Sequence, residues 1–584
     1  MNLLPLEIFI PIVLSLFCFI FKKAAGWIAL LASAAMLALA GYGFNLASFS
    51  FSSGIYLAAA FFTFLIVVYS FKFMEGKERL SEYYGFILIT LGSTAGVVFA
   101  TDYLILMLYW GLLAFTLYML IGIGGPNAGA AAKKSFIIVG GADALMIMGI
   151  GIIIALTGST IIGADRVVFN NIYSVIAFLC LAAGVAAKVG AIPLHSWVPD
   201  SALEAPASIM AYLPASLDKL LGIYLLTRLC LDVFVIEPNS AMSIFLMLMG
   251  SISIMVAVIA ALVQHDLKKL LSFHAVSQVG YMILGIGTGI PVAIAGGIFH
   301  MFNNAIYKSL LFMAGGNIEK QTGTTELSEL GGLSKAMPIT FICVLIGALS
   351  ISGVPPFNGF MSKWMIYQGI VELSQTSPYW IIWLLAAMFG SALTLASFVK
   401  IIHAVFLGQG SEYSARAKEV SWMMWLPIVV LASLCVVFGV FAYELPIKYF
   451  IMPAIGPILY SGFWSPVPAT VLIVISLLIG LASYYLVGRK RSITRKPSYI
   501  GGELLDEKTI KVSGTEFYNT IREYGPLPYI INIAEKKALD IYELGKNLFS
   551  WSSGLLSRLH NGFLQTYLAW MLLGIGLLFF ILTR

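Results

Sequence analysis

Apolar runs of membrane-spanning length follow one another along almost the whole chain and constrain its fold more than any other feature. Sixteen can be counted, at 3–21, 26–46, 54–74, 84–101, 102–122, 133–156, 171–190, 206–228, 240–263, 269–288, 291–316, 338–374, 380–408, 423–442, 467–487 and 563–582. A helix of about 20 apolar residues crosses the hydrocarbon core of a bilayer. With 60% hydrophobic and 11% charged residues among 584, the composition excludes a soluble globular protein. The sequence predicts an all-α polytopic membrane protein with about 16 transmembrane helices.

The stretch AAKVGAIPLHSWVPD at 186–200 is unlike the other apolar runs. Lys188 lies well inside the seventh run, and Pro193 then breaks the helix because proline has no backbone N–H. Such a break persists at membrane depth only where protein or a water-filled cavity surrounds it. A lysine beside a helix break is typical of an ion path, and the alternative is a lysine whose amine extends to the nearer membrane surface. A second interruption, GVPPFNG at 353–359, predicts that the twelfth run is also a broken helix.

The two breaks divide the chain into two similar units. Helices four to eight end with the broken seventh helix and a following helix, and helices nine to thirteen end with the broken twelfth and a following helix. Units with an odd number of helices lie upside down relative to each other, so inverted five-helix repeats are predicted. The predicted organisation is an N-terminal three-helix segment (1–83), a first repeat (84–228), a second repeat (240–408), additional transmembrane helices (423–487), a lateral amphipathic helix (488–562) and a C-terminal transmembrane anchor (563–584).

The distribution of basic residues predicts the orientation. If the helices alternate from an outside N-terminus, one side receives most basic connections: Lys22, Lys23, Lys77, Arg79, Lys133, Lys134, Lys268, Lys269, Lys320, Lys335, Arg416, Lys418, Arg489, Lys490, Arg491, Arg495 and Lys496. Basic loops mark the cytoplasmic side, so we expect a cell-membrane protein with these loops and the lateral helix in the cytoplasm. The first run lacks a preceding basic region and a cleavage site, which predicts a retained helix and not a signal peptide.

The segment 488–562 is predicted to contain a surface helix. Apolar side chains recur three or four residues apart, for example Leu544, Leu548 and Trp551, which is typical of an amphipathic helix lying along a membrane surface. About 30 residues of helix would reach roughly 45 Å, enough to contact the chain's own bundle or a neighbouring subunit. The alternative is a solvated cytoplasmic helix.

Ionisable and polar residues inside the apolar runs are the candidate functional residues, because burying them in a membrane is costly. The predicted proton or ion path comprises Asp143, Lys188, His195, Lys219, His300, Lys308 and Lys363, with Asp218, Asn304 and Lys400 as secondary members. A carboxylate that moves relative to a buried lysine changes how tightly the lysine holds its proton, and water can bridge the gaps between such groups. The alternative for each charge is a structural ion pair or a side chain that reaches the surface.

The sequence predicts no cofactor, metal or nucleic-acid site in this chain. The cysteines (Cys18, Cys180, Cys230, Cys343 and Cys435) all lie in apolar runs, without the spacing of an iron–sulfur, haem or zinc site. No nucleophile–base pair or phosphate-binding loop is visible. Any redox chemistry is therefore expected in a partner protein.

Four long motifs resemble the antiporter-like subunits shared by respiratory complex I, energy-converting membrane-bound hydrogenases and Mrp cation/proton antiporters. They are AKVGAIPLHSWVPDSALEAP at 187–206, VQHDLKKLLSFHAVSQVGYM at 263–282, FHMFNNAIYKSLLFM at 299–313 and GGLSKAMPITFICVLIGALSISGVPPFNGFMSKW at 331–364. The resemblance covers roughly residues 80–410, and the predicted lateral helix resembles the distal type of complex I subunit. FNGFMSKWMIYQG at 357–369, SALTLASFVKIIHAVFLG at 391–408 and LHNGFLQTYLAW at 559–570 are closer to the hydrogenase type.

The resemblance implies a role for each charge. Lys188 matches the family's broken-helix lysine, Lys219 the lysine of the next helix, Lys308 the central lysine, Lys363 the lysine after the second break, and Asp143 an acidic position of the sixth helix.

Two positions depart from the family's pattern. Gly111 stands where most members have the glutamate that modulates the broken-helix lysine. Asn304 stands where many have a second histidine, and an amide cannot carry a proton at neutral pH.

Three functions remain open at this point. The first is a subunit that moves H+, or exchanges it for Na+, while partner subunits of a multisubunit complex, including a hydrogenase-like iron–sulfur module, transfer electrons; Asp143 would then replace the missing glutamate. The second is a degenerate scaffold whose ion path is impaired at Gly111. The third is a stand-alone transporter for an organic solute.

Overall fold

The computed structural model describes residues 4–42, 50–458, 465–487, 540–560 and 562–583, with single residues at 518, 525, 528, 529, 532 and 537. These residues form helices, turns and isolated bridges, and no strand occurs among them. Twelve of the described helical segments are long and apolar enough to cross a membrane. The chain is therefore a multi-pass, all-helical membrane protein.

The chain divides into two units, Met1–Arg522 and Glu523–Arg584. The α-helices of the first unit are α1 (Leu4–Ile20), α2 (Ala25–Tyr42), α3 (Phe51–Phe73), α4 (Leu80–Val98), α5 (Tyr103–Ile121), α6 (Ala128–Thr157), α7 (Ile172–Val189), α8 (Trp197–Glu204), α9 (Ala207–Tyr212), α10 (Asp218–Arg228), α11 (Ala241–Leu262), α12 (Leu267–Gly287), α13 (Pro291–Thr322), α14 (Pro338–Ser352), α15 (Asn358–Glu372), α16 (Trp380–Ile401), α17 (Glu412–Arg416), α18 (Trp422–Val440), α19 (Met452–Ile455) and α20 (Pro466–Val487). Those of the second are α21 (Ile541–Leu559) and α22 (Leu564–Leu582).

Each of the sixteen predicted runs contains at least one of these helices, but four runs lack a helix that meets the length and hydropathy of a span. Helix α1 is 17 residues long, and α4 and α13 are rich in polar side chains and glycine. The twelfth run consists of two 15-residue helices, α14 and α15. The count of sixteen spans therefore stays a prediction.

Both predicted helix breaks are present. Helix α7 ends at Val189, followed by Gly190 with φ of 69°, and α14 ends at Ser352, followed by Gly353 with φ of 81°. Glycine adopts this left-handed conformation at little cost and commonly ends helices. The chain resumes as α8 and as α15. Each break also contains one cis peptide bond before a proline, at Pro193 and at Pro356.

A π-helical segment, Leu213–Leu217, joins α9 to α10 and contains Pro214. Side chains donate to one backbone carbonyl in this segment and to one just before it. The Ser216 hydroxyl donates to the carbonyl of Tyr212 at 2.6 Å, and Asn304 Nδ2 of α13 donates to the carbonyl of Ala215 at 3.1 Å. These bonds give side-chain donors to backbone carbonyls at a fully buried irregular turn, where no lipid group could supply them.

Helix α13 lies at the centre of the first unit and packs against α9, α10, α12, α14, α15 and α18. Glycines permit close approach to two of these neighbours. A Cβ added at Gly297 would lie 2.9 Å from the carbonyl of Met282 on α12, and one added at Gly296 would lie 2.8 Å from the backbone nitrogen of Ile366 on α15. The polar residues of α13 are thereby held against α12 and α15.

In the second unit, α21 begins after Asp540, whose carboxylate accepts the backbone N–H of Tyr542 at 3.0 Å. None of the described side chains of α21 is buried, and Leu548 and Trp551 are among its exposed apolar residues. Most of the predicted lateral helix, including nearly all of 488–539, lies outside the described residues.

We expect Gly359→Ala to destabilise the second break, because the added methyl would overlap the backbone carbonyl of Ser350. Overpacking of this kind costs about 1 to 3 kcal/mol. Thermal unfolding of the detergent-solubilised protein measures the effect. Gly151→Ala in α6 is the matched control, since its new methyl meets nothing within 4 Å. Equal melting temperatures for the two variants would contradict the packing described.

Candidate functional site

A group of buried ionisable side chains from three helices surrounds the end of α7. We call it the first-break cluster, and it consists of Asp143, Lys188, Asp218 and Lys219. Lys188 Nζ lies 3.6 Å from Asp218 Oδ1, with side-chain exposures of 0% and 2%. It also lies 5.5 Å from the ring centroid of Trp110, within the range of a cation–π contact. Trp110 Nε1 donates to Asp143 Oδ1 at 2.9 Å. The indole therefore stands between the lysine and the second carboxylate.

Lys219 occupies the break itself. Its Nζ donates to the carbonyl of Val189, the last residue of α7, and lies 6.0 Å from the ring of Trp197. Trp197 Nε1 donates to the neighbouring carbonyl of Ala187 at 2.9 Å. The last carbonyls of a helix have no partner within the helix. Lys219 supplies a donor for Val189, and Trp197 adds a second donor to Ala187, whose carbonyl also accepts the N–H of Gly190 at 3.2 Å.

The predicted stripe on α13 is buried, but its three members have different partners. Lys308 Nζ donates to the carbonyl of Leu271 on α12 at 2.8 Å. Asn304 bonds to the π-helical segment before Asp218, as described above. His300 hydrogen bonds through Nδ1 to Ser362 Oγ at 2.9 Å. The stripe thus connects α12, α10 and α15.

A second group, the second-break cluster, surrounds the start of α15 and consists of Gln278, Tyr281, His300, Tyr307 and Lys363. His300 Nε2 lies 3.1 Å from Gln278 Oε1 and 3.2 Å from Tyr307 Oη. Lys363 Nζ donates to the carbonyl of Ile351 near the end of α14 at 2.8 Å and lies 4.6 Å from the ring of Tyr281. Lys363 is thus the counterpart of Lys219: each amine binds a carbonyl at the end of a broken helix.

Two further predicted residues, Lys400 and His195, have other neighbours. Lys400 Nζ donates to the carbonyls of Leu262 and Gln264 at 2.9 and 2.8 Å and so caps the end of α11. His195 lies in the partly exposed turn between α7 and α8, where its carbonyl accepts the N–H of Val198 at 3.0 Å. The contacts of Lys400 therefore fit a structural role better than a place in the ion path.

Sequence reasoning missed the polar face of α12. His274 is fully buried, its Nε2 lies 2.7 Å from Ser397 Oγ, and its ring lies 5.0 Å from that of Phe398. The same Phe398 ring lies 5.9 Å from Lys308 Nζ, so His274 and Lys308 contact the same aromatic ring. The spacing of His274, Gln278 and Tyr281 at i, i+4 and i+7 places all three on one helix face and was the available signal.

The buried lysines differ in the groups that face their amines. Lys188 faces a carboxylate, whereas Lys219, Lys308 and Lys363 donate to backbone carbonyls. A carboxylate carries a full charge and can gain or lose a proton, and a carbonyl does neither. The charge on Lys188 is therefore the one most open to control by a neighbouring side chain.

The transmembrane family described as "NADH:quinone oxidoreductase/Mrp antiporter" matches residues 100–394, slightly more than half of the chain. The match covers both clusters. The chain belongs to this family. It is thus an antiporter-like membrane subunit, as the sequence motifs predicted.

Among curated relatives, the Na(+)/H(+) antiporter subunit A1 of Staphylococcus haemolyticus is 33% identical over 407 residues, covering 65% of this chain and 50% of the relative. The subunit A1 of Staphylococcus aureus strain Newman is 32% identical over 406 residues with the same coverage. The chain spans about half the length of the curated relatives it matches.

Solved structures extend the likeness to the whole chain. A chain of the archaeal membrane-bound sulfane sulfur reductase, a respiratory membrane complex, is 25% identical with a TM-score of 0.83, covering 99% of this chain and 100% of that one. Chains of the Mrp complex from Dietzia sp. and of respiratory complex I from Thermus thermophilus share the fold, with TM-scores of 0.68 and 0.66 at 19% and 18% identity. They cover 78% and 76% of this chain and 97% and 98% of their own lengths.

We expect Lys400→Met to destabilise the first unit, because two carbonyls at the end of α11 would lose their donor. Each unsatisfied buried polar group costs about 1 to 3 kcal/mol. Lys133→Met, at an exposed position of α6, is the matched control. The melting temperatures of the two variants in detergent are compared. A lower melting temperature for Lys133→Met than for Lys400→Met would rule out the capping role.

Proposed function

We propose that this chain is an ion-translocating subunit that moves protons, either alone or in exchange for sodium ions. The observation that carries the proposal is the series of buried amines and imidazoles between the two helix breaks. Lys188, Lys219, Lys308, His300 and Lys363 are all fully buried or nearly so. Intramembrane ionisable residues are costly and mark ion pathways. Packing of the helices does not by itself require ionisable side chains at these positions.

The contacts among these residues support a connected path. From the second break, Lys363 and His300 both lie against Tyr281, and His274 and Lys308 both lie against Phe398. On the other side of α13, Asn304 reaches the segment that precedes Asp218. Proton transfer along this series requires water between the side chains, and hydrogen bonds through water are nearly as favourable as direct ones.

The wider architecture is part of the proposal. Sixteen spans, two inverted five-helix repeats and a lateral amphipathic helix are supported by the sixteen helix-containing runs, by the two similar breaks and by the exposed apolar residues of α21. The basic loops support a cytoplasmic location for one face of the bundle and for α21. Helix α22 is proposed as the final membrane anchor.

We further propose that partner subunits drive the ion movement by electron transfer. The full-length similarity to a chain of a sulfane sulfur reductase, a respiratory membrane complex, supports an assembly with other membrane subunits. The iron–sulfur or hydrogenase-like peripheral module is proposed from the resemblance of the sequence motifs to the hydrogenase type. This chain would itself contain no redox centre. In this proposal the buried charges of this chain serve ion transport, and electron transfer takes place in the partner subunits.

A second candidate function is a structural scaffold. It is favoured by Gly111, which leaves the fifth helix without a carboxylate beside the first-break cluster. In this case the Lys188 half of the path would be inactive, and the chain would mainly connect and brace the modules of the complex.

Separate substitution of Lys188 and Lys363 by alanine distinguishes the two functions. If the chain moves ions, each variant should lower pumping in sealed vesicles that contain the intact complex at least about tenfold, which corresponds to about 1.4 kcal/mol in the barrier. Proton movement is followed with a pH-sensitive dye and sodium movement with radioactive Na+. Lys72→Ala is the control, since this lysine pairs with Glu75 at the surface. Full pumping in both buried-lysine variants would favour the scaffold.

Assembly is tested by affinity purification of the tagged full-length chain from its native membrane. We expect iron and labile sulfide to co-purify with it in stoichiometric amounts, because the redox module is proposed to be a separate subunit. Mild detergent preserves the complex, and the same purification after a high-salt wash is the comparison. A chain recovered alone under all conditions would favour the stand-alone transporter.

A further inference from the structure

The counter-ion of Lys188 lies on an unexpected helix. The sequence suggested that Asp143 replaces the missing glutamate, but Asp143 Oδ1 accepts a hydrogen bond from Trp110, and the ion pair of Lys188 is formed with Asp218. Asp218 lies on α10, immediately before Lys219. The carboxylate nearest to the lysine at the first break therefore belongs to the helix that also donates to the last carbonyl of α7.

The two charged groups depend on each other. Lys188 Nζ and Asp218 Oδ2 are buried, and neither has a hydrogen-bond partner among the described residues. An isolated buried charge costs several kcal/mol, so each group needs the other. Their separation of 3.6 Å exceeds the roughly 2.7 to 2.9 Å of a charge-assisted hydrogen bond. The pair is thus a loose electrostatic contact, which a small movement of either side chain can shorten or lengthen.

The packing of α7 against α10 fixes the position of this pair. A Cβ added at Gly222 would overlap the side chain of Val189, so only glycine allows the two helices to approach this closely. At the same place Lys219 binds the carbonyl of Val189. Consecutive residues of α10, at 218 and 219, thereby engage consecutive residues of α7, at 188 and 189.

We propose that Asp218 is the carboxylate that controls the charge of Lys188, in place of a carboxylate at position 111. This inference rests on the proposed function of ion translocation. Gly111 offers space for a larger side chain, since a Cβ added there meets nothing within 4 Å. The chain has therefore kept a counter-ion at the first break, but on α10 and not on α5.

The new location couples the first break to the centre of the unit. Asp218 follows the π-helical segment whose Ala215 carbonyl is held by Asn304 of α13. The carboxylate of Asp218 also lies close to two lysines, Lys188 across the helix contact and Lys219 next to it in sequence. A shift of α10 relative to α7 would change the contact to Lys188 and the bond from Lys219 to Val189 together. A carboxylate on α5 would control Lys188 alone.

The test uses the intact complex in sealed vesicles, with proton pumping and the amount of assembled complex measured for each variant. Asp218→Asn should lower pumping about as far as Lys188→Ala, because the amide keeps the size of the side chain and removes its charge. Asp218→Glu should retain a substantial part of the activity. Addition of Gly111→Glu should restore pumping to Asp218→Asn, because it returns a carboxylate to the first break.

A double variant, Lys188→Met with Asp218→Asn, separates a controlling role from a purely structural one. It removes both buried charges, so assembly should recover relative to Asp218→Asn while pumping stays low. Recovery of pumping in the double variant would show that the pair is only structural and would overturn the proposal. Full pumping in Asp218→Asn, with pumping lost in Lys188→Ala, would overturn it and leave the proposed function intact. Full pumping in both Lys188→Ala and Lys363→Ala would overturn the proposal together with the proposed function.

Discussion

Helix breaks at membrane depth leave backbone carbonyls without partners, and the arrangement of the buried lysines follows from this constraint. Lipid offers no hydrogen-bond donor, so the donor must come from the protein or from water enclosed by it. Lys219 binds the end of α7 and Lys363 binds near the end of α14, and Lys400 does the same for the unbroken helix α11. A lysine reaches further than a serine or asparagine and offers several N–H groups. The residues that stabilise the breaks are thus the residues that carry charge.

This dual role is compatible with transport. A protonated amine has three N–H donors, and a neutral amine still has two. Lys219, Lys308 and Lys363 therefore keep their bonds to carbonyls in either state, and the loss of a proton does not leave the helix ends unsatisfied. Lys188 is different, because its contact with Asp218 depends on the charges of both groups. Proton release from Lys188 removes that attraction, so its protonation is the one most directly linked to helix position.

The sequence predicted the helices and both breaks because each depends on local features. Apolar runs mark the helices, and glycine and proline mark the places where α7 and α14 end. The polar face of α12 was missed, although His274, like His300, is a histidine within an apolar run. Only its contact with Phe398, which also contacts Lys308, shows that it lies near the buried lysines. The partner of Lys188 was also beyond sequence reasoning. Asp143 and Asp218 are both acidic residues in apolar runs, and only the packing of α7 against α6 and α10 shows which one forms the ion pair.

The departure at position 304 illustrates how one substitution changes the role of a central position. A histidine there would add a group that titrates near neutral pH. Asn304 instead donates to the carbonyl of Ala215, inside the π-helical segment that leads to Asp218. The amide lacks a charge to pass on, but it binds α13 to the helix that carries the counter-ion of Lys188. At this position a histidine would offer a titratable group along α13, whereas Asn304 offers a hydrogen bond between α13 and the segment that precedes α10.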